Sequence, residues 1–342
     1  LKYLVFPYIL AKSEFTRKTP LHDLFELDEN QLRELVNAKG IWRAFALARR
    51  EAKEVRGSMT WKKVGAGTYL IRHSASGAQK SLGPRDDRTQ AMYDTFQQRK
   101  GPAEQRLKAL KDRTEEQRKL NRVYRVGRVP NVVVRALAAL DAADLADKFM
   151  VIGTHAIYAY ETAAGVRVAS NAMATRDLDL LFDASKRLAF ATTLERSGAR
   201  SLIGVFKKAD PSFRVMPDQL QTAVNDDGFE IDVIRRKATA GDTHPMRMSD
   251  EEDDFWAVQI DSGDQMATGR KFEHLVVAAN GEMATMRTIH PLDFVRLKML
   301  LSAKPDRDPL KAPKDRLQAE VVQDMWDKYL YRLERPAEPP AA

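Results

Sequence analysis

Apolar side chains recur at helical spacing along VPNVVVRALAALDAADLADK (129–148). Val133, Leu137, Leu140 and Leu145 fall on one side behind Pro130 and predict an amphipathic helix. The pattern then changes. Phe149, Met150, Val151 and Ile152 form a short unbroken apolar run, Gly153-Thr154 turns, and a further helix is predicted from His155 to about Thr162. In RDLDLLFD (176–183) polar and apolar residues alternate, as a half-buried strand requires. Successive strand side chains face opposite ways, so Asp177 and Asp179 project together while Leu178 and Leu180 enter the core.

The rest of the chain reads in the same way. LKYLVFPYIL opens it as a buried strand rather than a signal peptide, being short, interrupted by Pro7 and followed by no small-residue cleavage site. Residues 13–27 are irregular. Asp28 and Gln31 then have capping-box spacing at the start of a stripe running through Leu32, Leu35, Val36, Trp42 and Phe45, with a break or bend expected at Gly40. MTWKKVGAGTYLIR (59–72) predicts a hairpin turning at Gly65-Ala66-Gly67, and GAQKSLG (77–83) a third strand. GAQKS lacks the glycine spacing of a phosphate-binding loop. From Asp86 to Arg125 the chain is polar, basic and helical in propensity, with a break predicted at Gly101-Pro102.

Beyond the aspartate strand, SKRLAFATTLERSG predicts a helix ended by Gly198. SFRVMP, LQTAV and GFEIDVI predict strands, the last two joined by a turn at Asp227-Gly228. Glu251–Asp254 is expected in an exposed loop, and 274–290 supplies two strands. PLDFVRLKMLLSA is a helix opened by Pro291, PDRDPLKAPKD a basic loop, and RLQAEVVQDMWDKYLYRL a last amphipathic helix before a disordered tail from Pro336. The expected fold is α/β (α+β), divided into a helical region with a small hairpin (1–85), a basic connector (86–128), a central domain with a short mixed sheet (129–290), C-terminal helices (291–335) and the tail (336–342).

Composition narrows the chemistry. A chain of 342 residues with 44% hydrophobic and 30% charged residues is ordinary for a globular protein of two domains. No apolar stretch approaches the roughly 20 residues of a membrane span, so no membrane partner is expected. The absence of cysteine removes disulfides, thiolate metal sites and a thiol nucleophile, and fits a cytoplasmic protein. A net charge of +8 suits a polyanionic partner such as nucleic acid, a phosphate-bearing substrate, or plain solubility. Lys108, Lys111, Arg113, Arg118, Lys119, Arg122, Arg125 and Arg128 form either a solvated helix face or a phosphate-tracking surface. No histidine pair has zinc spacing, no serine sits in a nucleophile elbow, and no dinucleotide fingerprint is present.

Two carboxylates side by side repel unless one is protonated or a cation lies between them, and oxygen donors suit Mg²⁺. FEIDVI (229–234) offers a third, Asp232, in another alternating run, with Glu230 on the same face. An apolar strand, Gly-Thr, a helix, Asp-x-Asp on the next strand and a later strand aspartate together resemble the core of the DNA polymerase β-like nucleotidyltransferase superfamily. GTHAIYAYE, TRDLDLL, DPSFR, NDDGFEIDVI and PLDFVRLKMLLS with the later KD and QA are similar to a bacterial family of nucleotidyltransferase-fold proteins, over residues 125–330.

The resemblance implies transfer of a nucleoside monophosphate from an NTP to an acceptor hydroxyl, with release of pyrophosphate and two Mg²⁺ as cofactors. Asp177, Asp179 and Asp232 would be the catalytic metal ligands. Gly153 and Thr154 would meet the triphosphate at a helix N-terminus, and Lys298, Arg307 and Lys314 would reach it from later in the chain. Many superfamily members have serine in the place of Thr154 and a second glycine before it; here the run is Ile152-Gly153-Thr154-His155. His155 reads as a packing residue or a substrate contact, and Arg176 as a strand-end arginine. Basicity favours RNA such as tRNA as acceptor, with protein and small molecules as other acceptors. Some relatives in the superfamily act as toxins by extending tRNA ends. The rival readings are a nucleic-acid-binding module that has kept the fold without turnover, and a small-molecule, aminoglycoside-type transferase.

Overall fold

The computed structural model describes residues 24–74 and 77–334. The apolar run 1–10 and the tail from Pro336 lie outside these residues, and with them the strand and the disorder expected there.

The first part comprises β1 (Leu24–Glu26), α1 (Glu29–Glu54), β2 (Ser58–Val64), β3 (Gly67–His73), β4 (Gln79–Pro84) and α2 (Asp87–Val123). The capping box forms as expected: the Gln31 N–H donates to Asp28 at 2.9 Å and the Asp28 N–H to the Gln31 side chain at 3.1 Å. Two expected breaks are absent. Helix α1 passes through Gly40, where an interior glycine costs only about 1 kcal/mol and the neighbouring Leu35 and Ala38 are buried. Helix α2 runs 37 residues through Gly101-Pro102. Ion pairs anchor it to α1 on both sides of the proline, from Arg99 to Glu54 and from Arg106 to Glu51. The predicted hairpin is present, with β4 added to it, and this antiparallel sheet packs on α2 through Met59, Leu70 and Phe96.

The second part runs through α3 (Asn131–Ala142), β5 (Phe149–Ile152), α4 (Ile157–Ala164), β6 (Val166–Val168), α5 (Ser170–Met173), β7 (Asp177–Phe182), α6 (Arg187–Arg196) and α7 (Leu202–Phe206). It continues with β8 (Arg214–Met216), β9 (Gln219–Val224), β10 (Glu230–Arg235), β11 (Met246–Arg247), β12 (Trp256–Gln259), α8 (Gly263–Thr268), β13 (Lys271–Val277), β14 (Met283–Ile289), α9 (Pro291–Ser302) and α10 (Lys311–Met325). Helix α3 is shorter than its pattern suggested, because Asp144 takes a left-handed φ of 59° just beyond it.

Nine strands form a mixed sheet in the order β11-β12-β10-β7-β5-β14-β13, with β9 also pairing with β10 and β8 with β9. Strand β7 is antiparallel to β5 and parallel to β10. The expected α/β class therefore holds: a helical first part with a small antiparallel sheet, then a mixed sheet with helices. Val133, Leu137 and Leu140 of α3 and the Phe149, Phe182 and Phe190 rings lie in the main core. The turn at Asp227-Gly228 joins β9 to β10 as predicted, with Gly228 at φ 69°.

Two loop assignments need correction. Asp254, expected in solvent, is 1% exposed and accepts from the N–H groups of Leu202 and Ile203 at 3.0 and 2.9 Å. It thus supplies acceptors that the first turn of α7 lacks. Helix α10 begins at Lys311 rather than after KAPKD, because Pro313 lies in the first turn, where a missing N–H costs no helical hydrogen bond. Among the described residues no helix is long and apolar enough to cross a membrane.

Candidate active site

Strand β7 carries Asp177 and Asp179 on one face, both half-buried, while Leu178 and Leu180 are fully buried behind them. Strand β10 repeats the pattern, with Glu230 and Asp232 half-buried and Ile231 and Val233 in the core. The parallel register sets Asp232 directly opposite Asp179 and Glu230 opposite Asp177. On the other side of β7, Ile152 at the end of β5 is the partner of Asp179. The chain turns immediately at Gly153, with φ 67°.

A Cβ on Gly153 would lie 2.2 Å from Oδ2 of Asp179, so a side chain there would be strained by the backbone conformation and would have to displace that carboxylate.

The electrostatics follow from this crowding. Burial, then the negative charges of Asp177 and Asp232, push Asp179 up to about 7, partly offset by Lys298 and Lys311. Asp232 is also raised, mainly by burial, although a 2.6 Å hydrogen bond from the Thr222 hydroxyl works the other way. Asp177 accepts from the Thr175 hydroxyl. The site is short of positive charge, and its donors are all carboxylate oxygens, which fits a hard divalent cation such as Mg²⁺. Among the described residues no three Asp, Glu or His side chains already converge as ligands of one ion. The Thr175 and Thr222 hydroxyls hold two of the three carboxylates in their present rotamers.

The basic residues expected to reach a triphosphate divide into two kinds. Lys298 is 8% exposed and pairs with Asp315 at 2.7 Å, and Arg307 donates to the other oxygen of the same buried carboxylate at 2.7 Å. Both are thus engaged within the protein. Lys314 donates to the Ala174 carbonyl at 2.5 Å, just before β7, and burial, offset by Asp177, lowers its pKa. Thr154 is buried in the short 3-10 turn Gly153–Ala156, and its hydroxyl accepts from the Gln318 amide at 3.0 Å. His155 is 1% exposed, edge-on to Phe229, and pushed down to about 4 chiefly by burial, with Asp177 opposing. It is neutral at physiological pH. Arg176 donates to the Asp227 carbonyl at the β9–β10 turn.

The sequence reading assigned no role to Lys311, and it took Asp315 and Gln318, in the KD and QA of the family-like stretch, only as part of the resemblance. With Lys314 they share one face of α10 at helical spacing, and Lys311 is exposed while acting electrostatically on both Asp179 and Asp232. The signal was present in KAPKDRLQ but was hidden by reading Pro313 as a loop residue. The basic run of α2 is in part structural, since Arg99 and Arg106 pair with α1 and Arg113 and Arg118 pair with Glu116 and Glu115 on α2 itself.

The nucleotidyltransferase family model matches residues 131–336, a span that includes every strand and helix around the three aspartates. No curated protein and no solved structure matches the chain.

Proposed function

Because the chain belongs to the nucleotidyltransferase family, we propose that it transfers a nucleoside monophosphate from an NTP to an acceptor hydroxyl and releases pyrophosphate. The observation that carries this reading is the register of β7 and β10, which sets Asp232 across from Asp179, with Asp177 on the same face. Asp177, Asp179 and Asp232 would hold Mg²⁺. Bound there, the metal would polarise the attacking hydroxyl and offset charge on the leaving phosphates. Asp179, crowded by two other carboxylates, would give up its proton to solvent on taking up that cation. Gly153 keeps the turn close to that carboxylate, and Thr154 would donate its hydroxyl hydrogen to a phosphate oxygen. Lys311 and Lys314 face the acidic cluster from α10 and would hold the far phosphates, while Lys298 and Arg307 fix α9 and the following loop to Asp315.

The net charge of +8 supports RNA as acceptor ahead of a protein or small molecule, and a toxin acting on tRNA ends falls within this reading. A second reading, a nucleic-acid-binding module without turnover, is favoured by the unconverged carboxylates. Incubation with α-labelled NTPs, Mg²⁺ and total RNA or cell lysate separates the two. Transfer of label by the wild type and its loss in Asp177→Ala and Asp232→Ala supports the enzyme. Salt-sensitive RNA binding that ignores both substitutions, with no label transferred under any condition, supports the binding module.

A further inference from the structure

Gln318 is fully buried on α10, and its side-chain amide nitrogen makes two contacts that cross the fold. It donates to the Thr154 hydroxyl at 3.0 Å and to the Ala172 carbonyl at 2.7 Å. The carbonyl of Ala172 can only accept, so the amide must present its NH₂ group on this side. Both of its hydrogens are then committed, and the Thr154 oxygen is an acceptor in this contact. A threonine hydroxyl has one hydrogen of its own. Among the described residues it has no protein acceptor, leaving it for a group outside the protein. Oε1 of Gln318 is buried without a hydrogen-bond partner among the described residues; it accepts only, so a phosphate oxygen would not satisfy it.

We propose that Gln318 is a positioning residue for the nucleotide: by donating to Thr154 it turns the threonine hydroxyl hydrogen toward a phosphate oxygen of the bound NTP. The inference rests on the nucleotide site proposed above. It ties the C-terminal helix to substrate binding through one hydroxyl rotor, so α10 is part of the site rather than only a brace behind it.

The test is equilibrium binding of fluorescent ATP and GTP analogues with Mg²⁺ to the full chain, in wild type, Gln318→Met, Thr154→Val, Thr154→Ser and the Gln318→Met/Thr154→Val pair. Loss of one charge-assisted hydrogen bond predicts about tenfold weaker binding in Gln318→Met and in Thr154→Val. Thr154→Ser, which keeps the hydroxyl, should bind like wild type. The double variant should bind no more weakly than Thr154→Val alone, since both changes remove the same interaction. Thermal melting accompanies each measurement. A purely structural Gln318 would lower the melting temperature and add its effect to that of Thr154→Val, which overturns the proposal. If Gln318→Met does not fold, Gln318→Glu takes its place; its carboxylate would draw the threonine hydrogen to itself and weaken binding likewise, and unchanged binding overturns the proposal. Wild type that binds neither analogue refutes the nucleotide site and this inference together. Wild-type binding with additive or absent effects refutes this inference alone.

Discussion

Asp179→Asn removes a charge from the most crowded carboxylate of the trio at almost constant volume, and the sign of its effect on stability is opposite to that of most site substitutions. Burial and two neighbouring carboxylates raise Asp179 from 3.8 to about 7. A carboxyl whose pKa is higher in the folded than in the unfolded chain supports folding while it is protonated. That support is complete below the unfolded value and is lost as pH rises through about 7. A rise of this size corresponds to about 4 kcal/mol. Partial solvent access on this face of the sheet screens the charges, so about 2–3 kcal/mol is expected. The assay is urea denaturation in chelator at about pH 5 and about pH 8.5, with wild type and variant compared at each. Between the two conditions the wild type should lose about 1–2 kcal/mol of this relative to the variant, since the part of the loss that accrues below about pH 5 falls outside the range, and the variant should be the more stable protein at the higher pH. Mg²⁺ should then restore the wild type more than the variant, because a ligand that binds only the folded state stabilises it. A variant less stable than wild type at the higher pH, or one with the same pH dependence, refutes the account of a charge-starved site.

Three further outcomes follow from the same geometry. Asp315→Asn leaves Lys298 and Arg307 facing a neutral group and should cost about 3 kcal/mol in denaturation; a loss near zero would show that the buried cluster is not structural. Gly153→Ala places a methyl group 2.2 Å from Asp179 Oδ2 at a φ of 67°, and should lower stability by at least about 1 kcal/mol and abolish label transfer; a variant with wild-type transfer would show that the turn tolerates a side chain. Asp254→Ala removes two hydrogen bonds to the start of α7 and should cost about 1–2 kcal/mol without changing nucleotide affinity, measured by denaturation and by binding of the ATP analogue.

The aspartate strands were legible because a period of two is a strong local signal. Asp177 and Asp179 flank Leu178, Asp232 lies between Ile231 and Val233, and the core takes the apolar member each time. Strand order was not legible. That β10 lies parallel to β7 and in register with it depends on how β8 and β9 fold back, and no local pattern encodes this. Where single residues were read by type, neighbours overrode them. Gly40 and Pro102 signal breaks in isolation, but the apolar packing of α1 and the ion pairs between α1 and α2 keep both helices whole. Asp254 looked like one more acid in a solvated run, yet it is aimed at two backbone N–H groups of a helix, 52 and 51 residues earlier in the chain.

The fate of the cations shows why charge alone is a poor guide to a phosphate site. Lys298, the basic residue expected first by position, is buried and paired with Asp315 at 2.7 Å. Arg307 shares the same carboxylate, so one acid holds both cations. The field of Lys298 still reaches the site, since it lowers Asp179 against the pull of burial. Lys311 acts from the opposite condition: it is exposed, in no ion pair among the described residues, and felt by both Asp179 and Asp232. An exposed lysine can move to meet a phosphate at little cost, whereas moving Lys298 would break its pair with the buried Asp315. The difference follows from solvation: Lys298 is buried and fixed by Asp315, whereas Lys311 is exposed and acts on Asp179 and Asp232 from outside any ion pair among the described residues.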